Sequence, residues 1–151
     1  MIRSALLATA LLLSGGSVYA APVIGNLEQY DPAVHSDCGF FLRDDQGKLV
    51  FYANTHYDAF VQADRQVLQL QHTHTENHQL STGRVQTGDT FSTTFVGDTA
   101  RVRVDMKVTK GCEKTGAVCP RVDESGTLEL GTRAGRTRLA VHGGEYCEDK
   151  N

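Results

Sequence analysis

Tryptophan is absent from this chain of 151 residues, and aromatic residues together make up only 7% of it. So thin a supply argues against a sugar site walled by aromatic rings. Cations are not in surplus either: 15 Lys and Arg stand against 18 Asp and Glu, a formal net charge of −3. A nucleic-acid or anionic-lipid binder carries a basic footprint, and this balance has none. The mild acidity fits a basic protein partner instead. Catalytic patterns are missing as well. Ser81, Ser92 and Ser125 lie in no G-x-S-x-G or S-x-x-K setting. The carboxylates Asp44, Asp45, Asp123 and Glu124 fall where turns are expected, and there capping and solvation are their ordinary work. No Glu/Asp pair is singled out for glycoside cleavage. His142 with Glu145, near Cys147, reads as a small structural cluster. These absences point to a chain that is not an enzyme.

Long apolar runs are also missing, with one short exception. Residues 1–20, MIRSALLATALLLSGGSVYA, carry Arg3, an apolar stretch from Ala5 to Leu13, and a small-residue boundary at Val18-Tyr19-Ala20. That is the build of a secretory signal peptide. The stretch is too short to cross a bilayer, and no cysteine follows the boundary to take a lipid. Cleavage before Ala21 leaves 131 residues, takes away Arg3 and no acid, and moves the charge from −3 to −4. The expected address is the periplasm or the exterior, an oxidising setting.

Four cysteines then read as two disulfides, with three possible connectivities. C-x-x-C spacing does not occur, which sets a redox or zinc pair aside. Six residues, Glu113 to Val118, separate Cys112 from Cys119 as a loop tip would, so these two are expected to pair. That leaves Cys38 with Cys147, closing the domain end to end. In the chain-entropy account, a loop of that length contributes roughly 4 to 5 kcal/mol, the short one 2 to 3.

What the chain does have is a period of two. Ala100, Val102, Val104, Met106 and Val108 alternate with Arg101, Arg103, Asp105 and Lys107, the pattern of a half-buried strand. Before it, residues 21–37 with Pro22, Gly25 and Pro32 form an extended N-terminal arm. From Cys38 on, hairpins are expected around Asp44–Gly47, around Asp64-Arg65, and around Thr132–Gly135, with Thr90 to Val96 leading through Gly97-Asp98 into the clean strand. About eight strands joined by Gly/Asp turns make residues 38–151 one all-β domain, an antiparallel barrel or sandwich stabilised by disulfides.

Two features carry candidate chemistry. Gln71 to His78 places His72, His74, Glu76 and His78 at alternate positions, one face of an extended segment. An H-x-H pair can give two imidazoles to zinc or copper, although an ion collects all of them only if the segment curls into a loop. A solvated polar connection and a pH-responsive contact surface are the other readings. The second feature is a pair of loops. Ser81-Thr82-Gly83-Arg84 is small and polar with an arginine at its end, and Gly131 to Arg136 sets Arg133 and Arg136 on a glycine-bounded turn. Glycine permits close approach and arginine supplies directional donors, so Ser81, Gly83, Arg84, Arg133 and Arg136 are candidate contacts for a partner. Ordinary hairpin connections share this composition.

In order, Asp37-Cys38-Gly39, Gly47-Lys48-Leu49-Val50-Phe51, the Cys112/Cys119 pair and the terminal Cys147 resemble an uncharacterised family of small exported Gram-negative β-proteins with four cysteines. More weakly, the chain is similar to the periplasmic and membrane-bound inhibitors of c-type lysozyme. The early cysteine, the strand from Lys48 to Ala53, Val67 to Leu70, the loop Ser81-Thr82-Gly83-Arg84 and the stretch Phe91 to Ala100 follow the same order. Those inhibitors plug the enzyme's cleft with an S-G-x-x-Y loop; here Thr82 separates Ser81 from Gly83 and no tyrosine follows. The second resemblance implies an eight-stranded barrel acting on an envelope enzyme such as lysozyme. The expectation is an exported binding protein of inhibitor or immunity type, without cofactor, directed at a protein of the envelope. Its alternative is a periplasmic metal-binding or metal-sensing module on His72, His74 and His78.

Overall fold

The alternating residues of 100–110 become the strand that the pattern calls for, and seven others join it. A computed structural model describes residues 20–27, 38–76, 85–112 and 121–147. The strands are β1 (Cys38–Arg43), β2 (Leu49–Asn54), β3 (Asp58–Ala63), β4 (Gln66–Glu76), β5 (Thr90–Val96), β6 (Ala100–Lys110), β7 (Arg121–Thr132) and β8 (Gly135–Cys147). Each pairs antiparallel with the next, and β8 returns to β1, so the sheet closes into a barrel in simple chain order. Closure settles barrel against sandwich and leaves no unpaired edge among the described strands. Cys38 stands opposite Cys147 where first and last strands meet, and a disulfide joins them. No described helix is long and apolar enough to cross a membrane.

The interior holds the apolar core. Leu42, Val61, Leu70, Phe95, Val102, Val104, Leu128 and Val141 are buried in one cluster, which draws on all eight strands. Eight strands enclose just enough room for such side chains, each contributing about 1.5 to 3 kcal/mol on burial. A second apolar set lies on the outer face of β8, β1, β2 and β3. There Tyr146, Phe41, Tyr52 and Phe60 stack side by side, with neighbouring ring centres 4.7, 4.9 and 6.2 Å apart. The Arg121 guanidinium caps the row, 4.7 Å from the Tyr146 ring.

The turns after β1, β3, β5 and β7 share one end of the barrel. Residues of the N-terminal arm lie across it: Ile24 bridges Ala63, Gly25 N donates to Gln62 O at 2.9 Å, and Thr137 Oγ1 donates to Pro22 O. The turn after β2, the disulfide, and the anchors of the two longest connections share the other end.

The last hairpin, expected around Thr132–Gly135, is flanked by two long strands that reach from Arg121 on one side to Cys147 on the other. Glycine allows that length. Gly143 and Gly144 hold φ of +155° and +145°, and a Cβ at either would overlap a backbone carbonyl, of Phe41 or of Val122. They interrupt the side-chain alternation but let β1 and β7 close on β8.

Candidate functional site

Three strands build the site. On their outer face, Arg101 of β6 pairs with Gly131 of β7, and Gly131 with Arg136 of β8. One step along, Arg103, Glu129 and Arg138 form the next row. Period-two alternation places these residues outward, because Val102, Leu128 and Leu130 occupy the inner face. Gly131 has no side chain to fill its row. A Cβ there would meet nothing nearer than Arg101 O at 3.8 Å and Arg136 Cγ at 3.9 Å. The result is a shallow cleft of about 590 Å³, bounded by the turn Gly97–Thr99 on one side and Arg133 on the other.

Four arginines line the cleft, Arg101, Arg103, Arg133 and Arg136, against two acids, Asp98 and Glu129. Their commitments differ. Arg103 is held by Asp105 through Nε at 3.0 Å and reaches Glu76 at 3.7 Å. Arg136 meets Glu129 at 3.5 Å, an open pair whose arginine side chain is 79% exposed. Arg101 and Arg133 have no hydrogen-bond or ion-pair partner among the described residues. Beside the cleft, Arg138 donates to Thr127 Oγ1 at 3.1 Å. Exposed pairs of this kind are weak, so their arginines can be recruited at little cost. The overall acidity of the chain therefore hides a local cationic surface.

The histidine segment corrects an expectation. The strand that begins at Gln66 runs on past Gln71 to Glu76 instead of giving way to a loop. A bulge at Thr73 shifts its register against β5 between His72 and His74. The extra residue puts the two histidines on opposite faces. His72 faces inward with its ring 5.7 Å from Phe95 and 5.4 Å from Tyr57, and its Nε2 lies 2.8 Å from Thr75 Oγ1. His74 faces out, 3.7 Å from Glu76. His72, His74 and Glu76 thus do not share one face, and His78 lies outside the described residues. No group of three or more His, Cys, Asp or Glu among the described residues stands ready for a metal ion.

Ser81, Gly83 and Arg84 also lie outside the described residues. Their connection is anchored at Glu76 and Val85, at the barrel end opposite Arg133 and Arg136. Val85 O accepts a hydrogen bond from Cys112 N at 3.0 Å, and Thr87 Oγ1 one from Gly111 N at 3.1 Å, so the two longest connections meet at their roots. Cys112 is disulfide-bonded, while Cys119 lies outside the described residues. Of the five candidate contacts, Arg133 and Arg136 belong to the arginine cleft.

Two groups escaped the sequence reading. Arg101 is legible as an outward residue of β6, but nothing near it in sequence shows that Arg133 and Arg136 will stand across Gly131. Glu124 is not at a turn. It sits within β7, only 4% exposed, on the same inward face as Val122 and Leu128. Its Oε2 has no hydrogen-bond partner among the described residues. Burial raises its pKa to about 8, with smaller contributions from Glu145 and Asp123. Tracing the period of two through Val122, Glu124, Gly126, Leu128 and Leu130 would have found it.

The chain matches no protein-family model, no curated protein and no solved structure.

Proposed function

We propose that this chain is an exported, non-enzymatic binding protein that recognises a protein of the cell envelope through the arginine cleft on β6–β8. The carrying observation is the convergence of Arg133 and Arg136 with Arg101 around the open floor at Gly131. The apolar side chains of the buried cluster occupy the barrel interior, so recognition falls to the polar outer surface. Arginine is a favoured anchor there once a partner desolvates it. The Cys38–Cys147 disulfide indicates an oxidising compartment outside the cytoplasm. The short apolar leader favours the periplasm or the exterior, where an inhibitor or immunity-type protein would meet its target enzyme.

The test is affinity capture from envelope extract supplemented with a c-type lysozyme, run with zinc and again with chelator. The proposal predicts one partner retained under both conditions and lost from an Arg133→Ala/Arg136→Ala variant. Equal retention by that variant would move recognition away from the cleft, toward Ser81, Gly83 and Arg84. Retention with zinc alone would favour the metal-binding alternative on His72, His74 and His78. An empty capture in both arms would overturn the binding role.

A further inference from the structure

Arg101 and Arg136 flank Gly131 across three adjacent strands, so their Cα atoms stand about 10 Å apart at the usual interstrand spacing. A guanidinium on each side of an empty seat suits a planar oxyanion, which arginine binds through two parallel hydrogen bonds. The chain supplies its own example. The Glu129 carboxylate, two residues from Gly131 on the same face, already meets Arg136 at 3.5 Å. The long pairing distance and the exposure of Arg136 leave that contact open to exchange with an incoming carboxylate.

From this we infer that the cleft receives a carboxylate-rich segment of the partner protein, an acidic side chain seated over Gly131 between Arg101 and Arg136. The inference rests on the binding-protein reading above and adds the chemistry of the occupant. Asp98 and Glu129 argue for carboxylates carried on separate, flexible side chains. A polyanion of continuous charge, such as a nucleic-acid backbone, would run over both acids, whereas separate Asp or Glu side chains can face the arginines alone. The volume of about 590 Å³ suits several residues better than a lone small ion. Closure of the barrel also bars a partner from adding a strand at an edge, so side chains carry recognition. The basic partner suggested by net charge gives way here to an acidic one.

Binding of a blocked hexaglutamate peptide, its hexaglutamine counterpart and inorganic pyrophosphate to the purified chain tests this by titration at low and physiological salt. Saturable one-to-one binding of hexaglutamate is expected, weakened by salt, with none for hexaglutamine. An Arg101→Gln/Arg133→Gln variant should lose at least about tenfold in affinity, as expected when charged hydrogen bonds are removed. Gly131→Val fills the seat without touching a charge and should weaken binding too, while Lys107→Gln, outside the cleft, should not. Hexaglutamate binding that is the same in all variants would overturn the inference. So would tighter binding of pyrophosphate, lost in the arginine variant, which would make this a phosphoryl site. Should hexaglutamate fail to bind while the captured envelope partner still depends on Arg133 and Arg136, the acidic-segment inference alone falls. Should both fail, the cleft has no role in recognition.

Discussion

Glu124 of β7 lies directly opposite Gly143 of β8, and the carboxyl group projects into the barrel on the side where Gly143 contributes no side chain. The glycine that allows β1 to approach β8 also leaves room for an acid in an apolar interior. Among the described residues no cation offsets its burial, and the charges that act on it are those of Glu145 and Asp123, both of which raise its pKa.

A pH dependence follows from Glu124. With its folded pKa raised to about 8 from an ordinary 4.5, the carboxyl is protonated in both states below pH 4.5 and affects stability little. Between these values the unfolded chain ionises and the folded chain does not, so stability falls as pH rises, by up to about 1.4 kcal/mol per unit. Above about 8 the loss levels off. Glu124→Gln should match the parent near pH 4 and exceed it by roughly 3 to 5 kcal/mol at pH 8. Urea unfolding at both pH values checks this. Parallel pH profiles for the two proteins would show that Glu124 does not titrate inside the barrel.

The Cys38–Cys147 bridge closes a loop with a sequence separation of 109 residues. Replacing both cysteines by alanine should cost roughly 4 to 5 kcal/mol in the chain-entropy account. The β1–β8 ladder has to close without it, so hydrogen exchange should rise first along that seam. Uniform exchange loss across all strands would instead mean that the barrel opens as a single unit.

At the two-residue turn between β3 and β4, Asp64 and Arg65 both hold positive φ, 49° and 79°. Asp-Gly is the pairing such a hairpin favours, and a left-handed conformation costs a non-glycine residue about 1 to 2 kcal/mol. Arg65 is exposed, while Asp64 binds Val23 of the arm through its backbone and its side chain. Arg65→Gly should therefore raise the melting temperature by about 3 to 5 °C. Asp64→Gly should not share the gain, because it frees the arm. Calorimetry of the two variants separates turn strain from arm docking.

What could be read in advance was whatever depends on one strand alone. β6 shows its inner face because one side of the barrel wall is apolar, and β5 begins and ends where its β-branched and aromatic residues do. The turn at Asp64-Arg65 shows its short polar break. What depends on a second strand stayed hidden. The bulge at Thr73 arises from the register of β4 against β5, so His72 and His74 looked like neighbours on one face. Glu124 looked like a turn residue because the glycines that extend β8 also blur its pattern. The site itself needs three strands in register before Arg101, Gly131 and Arg136 form a row.

The central claim is that recognition takes place over Gly131. Backbone amide shifts of the isotopically labelled chain, followed by NMR during titration with hexaglutamate and then with the captured partner, test it most directly. The account predicts that the largest changes fall on Arg101, Gly131, Thr132 and Arg136, with the far end near Glu76, Val85 and Gly111 unmoved. Changes centred on that far end, with the arginine row silent, would contradict it.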